Sequence, residues 1–318
     1  MKARRVLSLD GGGIRGLVSC IWLAGVERAL LDAGKPGVVK SFDLLAGSST
    51  GAIIACGLAA GLSADAMAEL YRRQREVIFP GLAGRLWSRL RRLPTLGPSA
   101  PKYDGKGLEK ALRKVFGATT LGQLGMPTLV TSYDTIQRRP VVFKSFKPEH
   151  KDLPVWEVCR ASAAAPTYFP AHPLKVEGRH CALIDGGVVA NNPTACAIAE
   201  AMRKDARVDN SQDLVVLSIG TGERNRPIDL KSAQEWGALE WAIPIIDVLF
   251  DGNTDSVDYI ARHLVGDGYF RLQTELVIGM DDLDDVSATN VAALESMAKA
   301  YLSKAETRKQ LDRLVALL

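Results

Sequence analysis

An α/β fold, a sheet covered by helices on both faces, follows from three observations. Short apolar strands alternate with longer helical periods from residue 5 onward. Three of those strands end in glycines: Gly11-Gly12-Gly13, Gly47 and Gly51, and Gly186-Gly187. Each such end carries polar chemistry, Asp10, Ser49 and Asp185 in turn. Sites in open α/β sheets gather at the carboxyl ends of strands.

In chain order, apolar runs predict strands at 5–9, 42–46, 128–133, 141–145, 181–184 and 214–218. Apolar periodicity near 3.6 predicts helices over 16–33, 51–60, 63–79, 105–116, 154–163, 192–204 and 289–317. Asn191-Asn192-Pro193 is a good start for the helix at 192–204. There is no internal repeat and no low-complexity tract. The 318 residues suffice for one large core or two smaller ones. The motifs divide them into a catalytic domain, 1–225, and a mainly helical extension, 226–318, packed on the same domain.

Forty basic and 36 acidic side chains leave a net charge of +4, too balanced and too dispersed for a dedicated nucleic-acid polymer binder. The five cysteines, Cys20, Cys56, Cys159, Cys181 and Cys196, lack any C-x-x-C pair and sit mostly in apolar runs, as free thiols of a reducing cytosol do. Residues 1–5 lead straight into a strand without a signal-peptide pattern, and no window reaches 18 consecutive apolar residues. The expectation is a cytoplasmic protein that meets lipid peripherally, at the inner membrane. Residues 80–101 break the α/β pattern with four prolines and a basic apolar segment, Arg85, Trp87, Arg89, Arg91 and Arg92 interleaved with leucines. Such a segment suits a lipid interface, where rings enter the acyl boundary and guanidinium groups meet phosphates. A surface loop packing Trp87 back on the core is the alternative.

Gly47-Ser48-Ser49-Thr50-Gly51 is a G-x-S-x-G pentapeptide between a strand and a helix, the order a nucleophile elbow requires. A plain strand-to-helix turn capped by serine would look the same in isolation. A serine hydroxyl needs a base within hydrogen-bond reach. Asp185, at a strand end before Gly186 and Gly187, is the stronger candidate, since partial burial would raise its pKa above the ordinary value of about 3.9. Of the four histidines, His150 lies among charges and reads as exposed loop, while His172 and His180 sit near strand starts. His263 completes the Ser, Asp, His order of ordinary α/β-hydrolases and is the rival base. Gly11, Gly12 and Gly13 can present bare amides to a developing oxyanion at a helix start, each donor worth about 3 to 4 kcal/mol. Arg15 either adds positive charge there or, as the preferred reading, holds the loop in place.

Gly11 to Gly16 also fits the dinucleotide fingerprint G-x-G-x-x-G, with Asp32 near the offset of a ribose-binding acid. Asp32, however, reads as the end of a helix rather than of a second strand. That oxidoreductase reading leaves Ser49 and Asp185 without a role, and no G-K-[ST] follows the glycines.

Asp10-Gly11-Gly12-Gly13-Ile14-Arg15-Gly16, Gly47 to Gly51 and Asp185-Gly186-Gly187, in that order, resemble the patatin-like phospholipase family. Ala161-Ser162-Ala163-Ala164-Ala165-Pro166-Thr167-Tyr168-Phe169-Pro170 and Val216-Leu217-Ser218-Ile219-Gly220-Thr221-Gly222 extend the similarity over about residues 4 to 222. Ser48 stands where threonine is more usual. The resemblance implies a three-layer α/β/α sandwich with a mostly parallel sheet, and hydrolysis of membrane phospholipid through a Ser49–Asp185 dyad without cofactor or metal. On that analogy the amides of Gly12 and Gly13 form the oxyanion hole. More weakly, 237–250, 254–259 and 268–273 are similar to the tails of bacterial patatin-like proteins, some of them antiphage effectors switched on by cyclic nucleotides. That similarity implies a cyclic-nucleotide activator and a homo-oligomer; the alternative is a constitutive esterase whose last helices only cover the sheet.

Overall fold

The computed structural model describes residues 4–80, 100–204, 210–223, 227–241, 244–276 and 282–318. The basic apolar segment with Arg85, Trp87, Arg89, Arg91 and Arg92 lies outside them.

One mixed sheet runs through the molecule in the order β5-β6-β3-β2-β1-β7-β8, with β4 paired to β3 off that path. The strands are β1 (Arg4–Leu9), β2 (Leu44–Ser48), β3 (Thr128–Asp134), β4 (Arg139–Lys144), β5 (His172–Val176), β6 (Arg179–Asp185), β7 (Leu214–Ile219) and β8 (Tyr269–Leu272). The pairs from β3 through β2, β1 and β7 to β8 are parallel, whereas β4, β6 and β5 add antiparallel pairs beyond β3. Every residue of β2 and β7 is buried, which is why these central strands read as unbroken apolar runs.

Side-chain alternation along the strands builds a core on each face. Leu7, Leu45, Val130 and Leu217 point into one cluster, shared with helices α1 (Gly16–Asp32), α2 (Thr50–Ala59), α3 (Ala64–Ile78), α4 (Lys106–Phe116) and α5 (Val155–Ser162). Their neighbours Val6, Leu44, Leu129 and Val216 point into the other, against α6 (Thr194–Lys204) and α7 (Pro244–Val265). The result is the three-layer α/β/α sandwich. Helices α8 (Ala288–Ser303) and α9 (Ala305–Leu317) close the first face, and the indole N–H of Trp22 on α1 donates to Ala298 O at 3.1 Å.

Four elements depart from the sequence reading. β5 was hidden by Pro173 and Lys175, which an edge strand with one solvent face tolerates. β8 is four residues long with an arginine in it, yet it pairs with β7, so residues beyond 226 supply a strand as well as helices. α7 contains Gly252, Asn253 and four aspartates, and was not among the individual helices read from periodicity, although it falls in the mainly helical extension. The expected helix over 289–317 divides at Lys304, whose extended backbone (φ −63°, ψ 138°) starts a new helix without any glycine or proline to signal it.

Candidate active site

The sheet itself brings Ser49 and Asp185 together. The β4 ladder occupies one edge of β3 from Leu129 to Asp134. β2 and β6 therefore share the other edge and approach from opposite ends: Ser48 pairs with Thr131, and Asp185 with Ser132. Ser49 is the first residue past the end of β2, and its hydroxyl donates to Asp185 Oδ2 at 2.7 Å. Its backbone is in the left-handed region (φ 51°, ψ −119°), the strained geometry of a nucleophile elbow. Gly51 permits the close packing behind that turn, since a Cβ there would lie 2.1 Å from the Leu9 carbonyl oxygen.

Asp185 is 1% exposed. Its Oδ1 accepts the Gly187 N–H at 2.7 Å, and its Oδ2 takes the Ser49 hydroxyl. Burial pushes its pKa up to about 7, and the two hydrogen bonds pull back only part of that rise. A carboxylate in that range can accept a proton at neutral pH and return it.

The glycine loop is anchored from three sides. Asp10 N–H donates to Ile219 O at 3.0 Å, Ile14 N–H to Leu283 O at 2.9 Å, and Gly11 N–H to Asn191 O at 3.0 Å. The last bond corrects the expectation of three oxyanion donors, because the Gly11 amide is already committed to a backbone acceptor. The amides of Gly12 and Gly13 meet no acceptor among the described residues, and both glycines line the same cavity as Ser49. Arg15 is buried and its Nε reaches Gly12 O at 3.4 Å, so it braces the loop from behind.

That cavity is apolar beyond its polar end. Ile53, Ile78, Phe79, Leu108, Phe169 and Phe250 form its walls, with Ser49, Asp185, Gly12 and Gly13 at the polar end. None of the histidines lines it. His263 is exposed on α7 with Nδ1 against Tyr259 O at 2.8 Å, so the structure does not bring it to the Ser49–Asp185 pair. His172 starts β5 with its pKa lowered to about 4 by burial, and His180 lies on β6. His150 corrects its expected exposure: it is buried against Phe143, and its Nδ1 accepts the Lys144 N–H. Asp32 ends α1 and is exposed, so the acid that a dinucleotide site would need on a second strand is missing from that place.

Residues 7–198, the stretch holding the glycine loop, Ser49 and Asp185, match the description "Patatin-like phospholipase". The chain belongs to the patatin-like phospholipase family. Patatin-like protein 2 of Oryza sativa subsp. indica is 30% identical to it, with 98% of this chain and 87% of that protein covered. Patatin-like protein 2 of Arabidopsis thaliana is 31% identical, over 96% and 84%. Among solved structures, VipD from Legionella pneumophila is similar with 16% identity and a TM-score of 0.46, covering 98% of this chain and 67% of VipD. A likeness that slight decides nothing about the site. As a member of the patatin-like phospholipase family, the protein is a serine-type lipid acyl hydrolase.

Several residues that shape this patatin-like site lie in the elements the sequence concealed. Arg271 on β8 donates to Asp10 Oδ2 at 2.6 Å and to Ser218 Oγ at 2.8 Å, directly beneath the glycine loop. From α7, Phe250 reaches the cavity wall, Asn253 Oδ1 accepts the Asn191 N–H at 2.8 Å, and Thr254 Oγ1 accepts from Asn191 Nδ2 at 3.0 Å. The advance signals were Asn191-Asn192-Pro193, visible as a helix start, and the weak similarity of 237–250, 254–259 and 268–273 to other patatin-like tails, which gave these side chains no role.

Proposed function

We propose that the protein releases fatty acid from membrane glycerophospholipids by two-step acyl transfer, with Ser49 as nucleophile, Asp185 as base and the amides of Gly12 and Gly13 as oxyanion donors. The observation that carries this reading is the 2.7 Å Ser49–Asp185 hydrogen bond at the polar end of an apolar cavity. Ser49 Oγ bonds to the ester carbonyl carbon as its proton passes to Asp185. The carbonyl oxygen takes the negative charge and meets the two amides. On collapse the ester C–O bond breaks, and Asp185 hands its proton to the departing lysophospholipid oxygen. Water then attacks the acyl-enzyme, Asp185 removes its proton, and the fatty acid leaves as that proton returns to Ser49.

The apolar walls favour long acyl chains, each buried methylene being worth about 0.8 kcal/mol. Peripheral membrane contact is supported by α7, where Ile245, Val248 and Leu249 are 40%, 44% and 47% exposed beside Phe250 of the cavity wall. A cyclic-oligonucleotide activator finds no support next to the site. In the polar pocket behind the glycine loop Asp10 is paired with Arg271, and Glu223, Asp251 and Asp255 outnumber Arg15, a lining that disfavours phosphates. The constitutive form of the reaction is therefore the one put forward.

Fatty-acid release from vesicles of defined phospholipid tests the reading. Ser49→Ala should abolish release and fluorophosphonate labelling while far-UV circular dichroism stays unchanged. Full activity in that variant would mean the nucleophile lies elsewhere.

A further inference from the structure

Ser49 and Asp185 lie 136 residues apart, Ser49 just past the end of β2 and Asp185 on the last rung of β6. One residue hydrogen-bonds to both turns at once. Ser162, the last residue of α5, is fully buried. Its hydroxyl accepts the Ser49 N–H at 2.9 Å and donates to Thr131 O at 2.7 Å, while its carbonyl accepts the Gly186 N–H at 3.1 Å.

We infer that Ser162 is a positioning residue for the reaction, a fixed strut that sets the distance between the nucleophile and its base. The inference rests on the dyad reading above. A hydroxyl has one proton to give, and here Thr131 O takes it. The lone pairs that remain are thereby oriented, and one receives the amide of Ser49. That amide belongs to a residue held at φ 51°, a strained conformation that persists only where the surroundings over-determine it. Thr131 is the β3 residue that pairs with Ser48, and its carbonyl oxygen packs so closely on Gly186 that a Cβ there would lie 2.4 Å away. Ser162 thus joins the elbow, the base turn and β3 at one point. Its hydroxyl bonds to the Ser49 N–H and to Thr131 O, whereas the Asp185 oxygens bond to Ser49 and Gly187. The alternative role is a satisfied buried hydroxyl at a helix end, which would support stability without setting the dyad.

The two roles separate when rate is measured per folded molecule. Full-length wild type, Ser162→Ala and Ser162→Cys are compared by fluorophosphonate labelling of Ser49 and by turnover of a soluble long-chain ester, at a temperature where circular dichroism shows each variant folded. Ser162→Ala should lose about 10- to 100-fold in both kcat and labelling rate, with KM changed less than about twofold, because misplacing a reacting group by an ångström costs on that order. Ser162→Cys keeps the size but is a weaker acceptor and should fall between the two. It carries the test alone if the alanine variant does not fold. Labelling and kcat within twofold of wild type in the folded variants, with only the melting temperature lowered, would overturn the inference. Absence of labelling and turnover in the wild type would instead sink the dyad reading on which it stands.

Discussion

Arg271 and Asp10 form a buried ion pair at 2.6 Å, each side chain at most 4% exposed, between the last strand of the sheet and the residue that begins the glycine loop. Removing one partner leaves the other charged and desolvated, a loss of about 3–5 kcal/mol. Arg271→Met should therefore lower the urea midpoint sharply. Asp10→Asn with Arg271→Met should cost less than the sum of the two single changes, since the double variant buries no uncompensated charge. Additive losses in such a cycle would show that the pair is not coupled.

The pH dependence follows from Asp185, raised by burial to about 7. A base acts only when deprotonated, so log(kcat/KM) should rise by about one per pH unit below neutrality and level off above it. Stability should run the other way. Between an unfolded value near 3.9 and the folded value near 7, the native state holds a proton that the unfolded chain has lost, so this group weakens the fold as pH rises through that window. Asp185→Asn removes the effect. Its stability advantage over wild type should grow from pH 5 to pH 7 by at most about 1.4 kcal/mol per unit, and then flatten. A difference that does not vary with pH would place the titrating group elsewhere.

What the sequence revealed and concealed has one physical cause. β1, β2, β6 and β7 were legible because burial leaves apolar runs, and the glycines at their ends mark turns that bring Ser49 and Asp185 together. β8 and α7 were not, because their polar residues face inward: Arg271 meets Asp10, and Asn253 and Thr254 hold Asn191. Inward polarity reads as loop in a one-dimensional pattern. His150 misled for the converse reason, since Glu149 and Lys151 beside it are exposed while its ring packs on Phe143. The commitment of the Gly11 amide depends on a carbonyl 180 residues away, that of Asn191, and no local signal records it.

The exposed shoulder of α7 gives a test of interfacial action that spares the chemistry. Ile245, Val248 and Leu249 follow the i, i+3, i+4 spacing of one helix face and lie outside the core, so glutamate there should change stability by no more than about 0.5 kcal/mol. At an anionic vesicle the same change removes apolar contact and adds repulsion worth about 1 kcal/mol per charge near the surface. Val248→Glu with Leu249→Glu should therefore weaken co-sedimentation with vesicles containing phosphatidylglycerol about tenfold or more, and slow fatty-acid release in parallel. Turnover of a monomeric soluble ester should stay within twofold, because neither side chain lines the cavity. Equal losses on both substrates would mean that the substitutions disturb Phe250 and the cavity wall, and that this face of α7 is not the membrane contact.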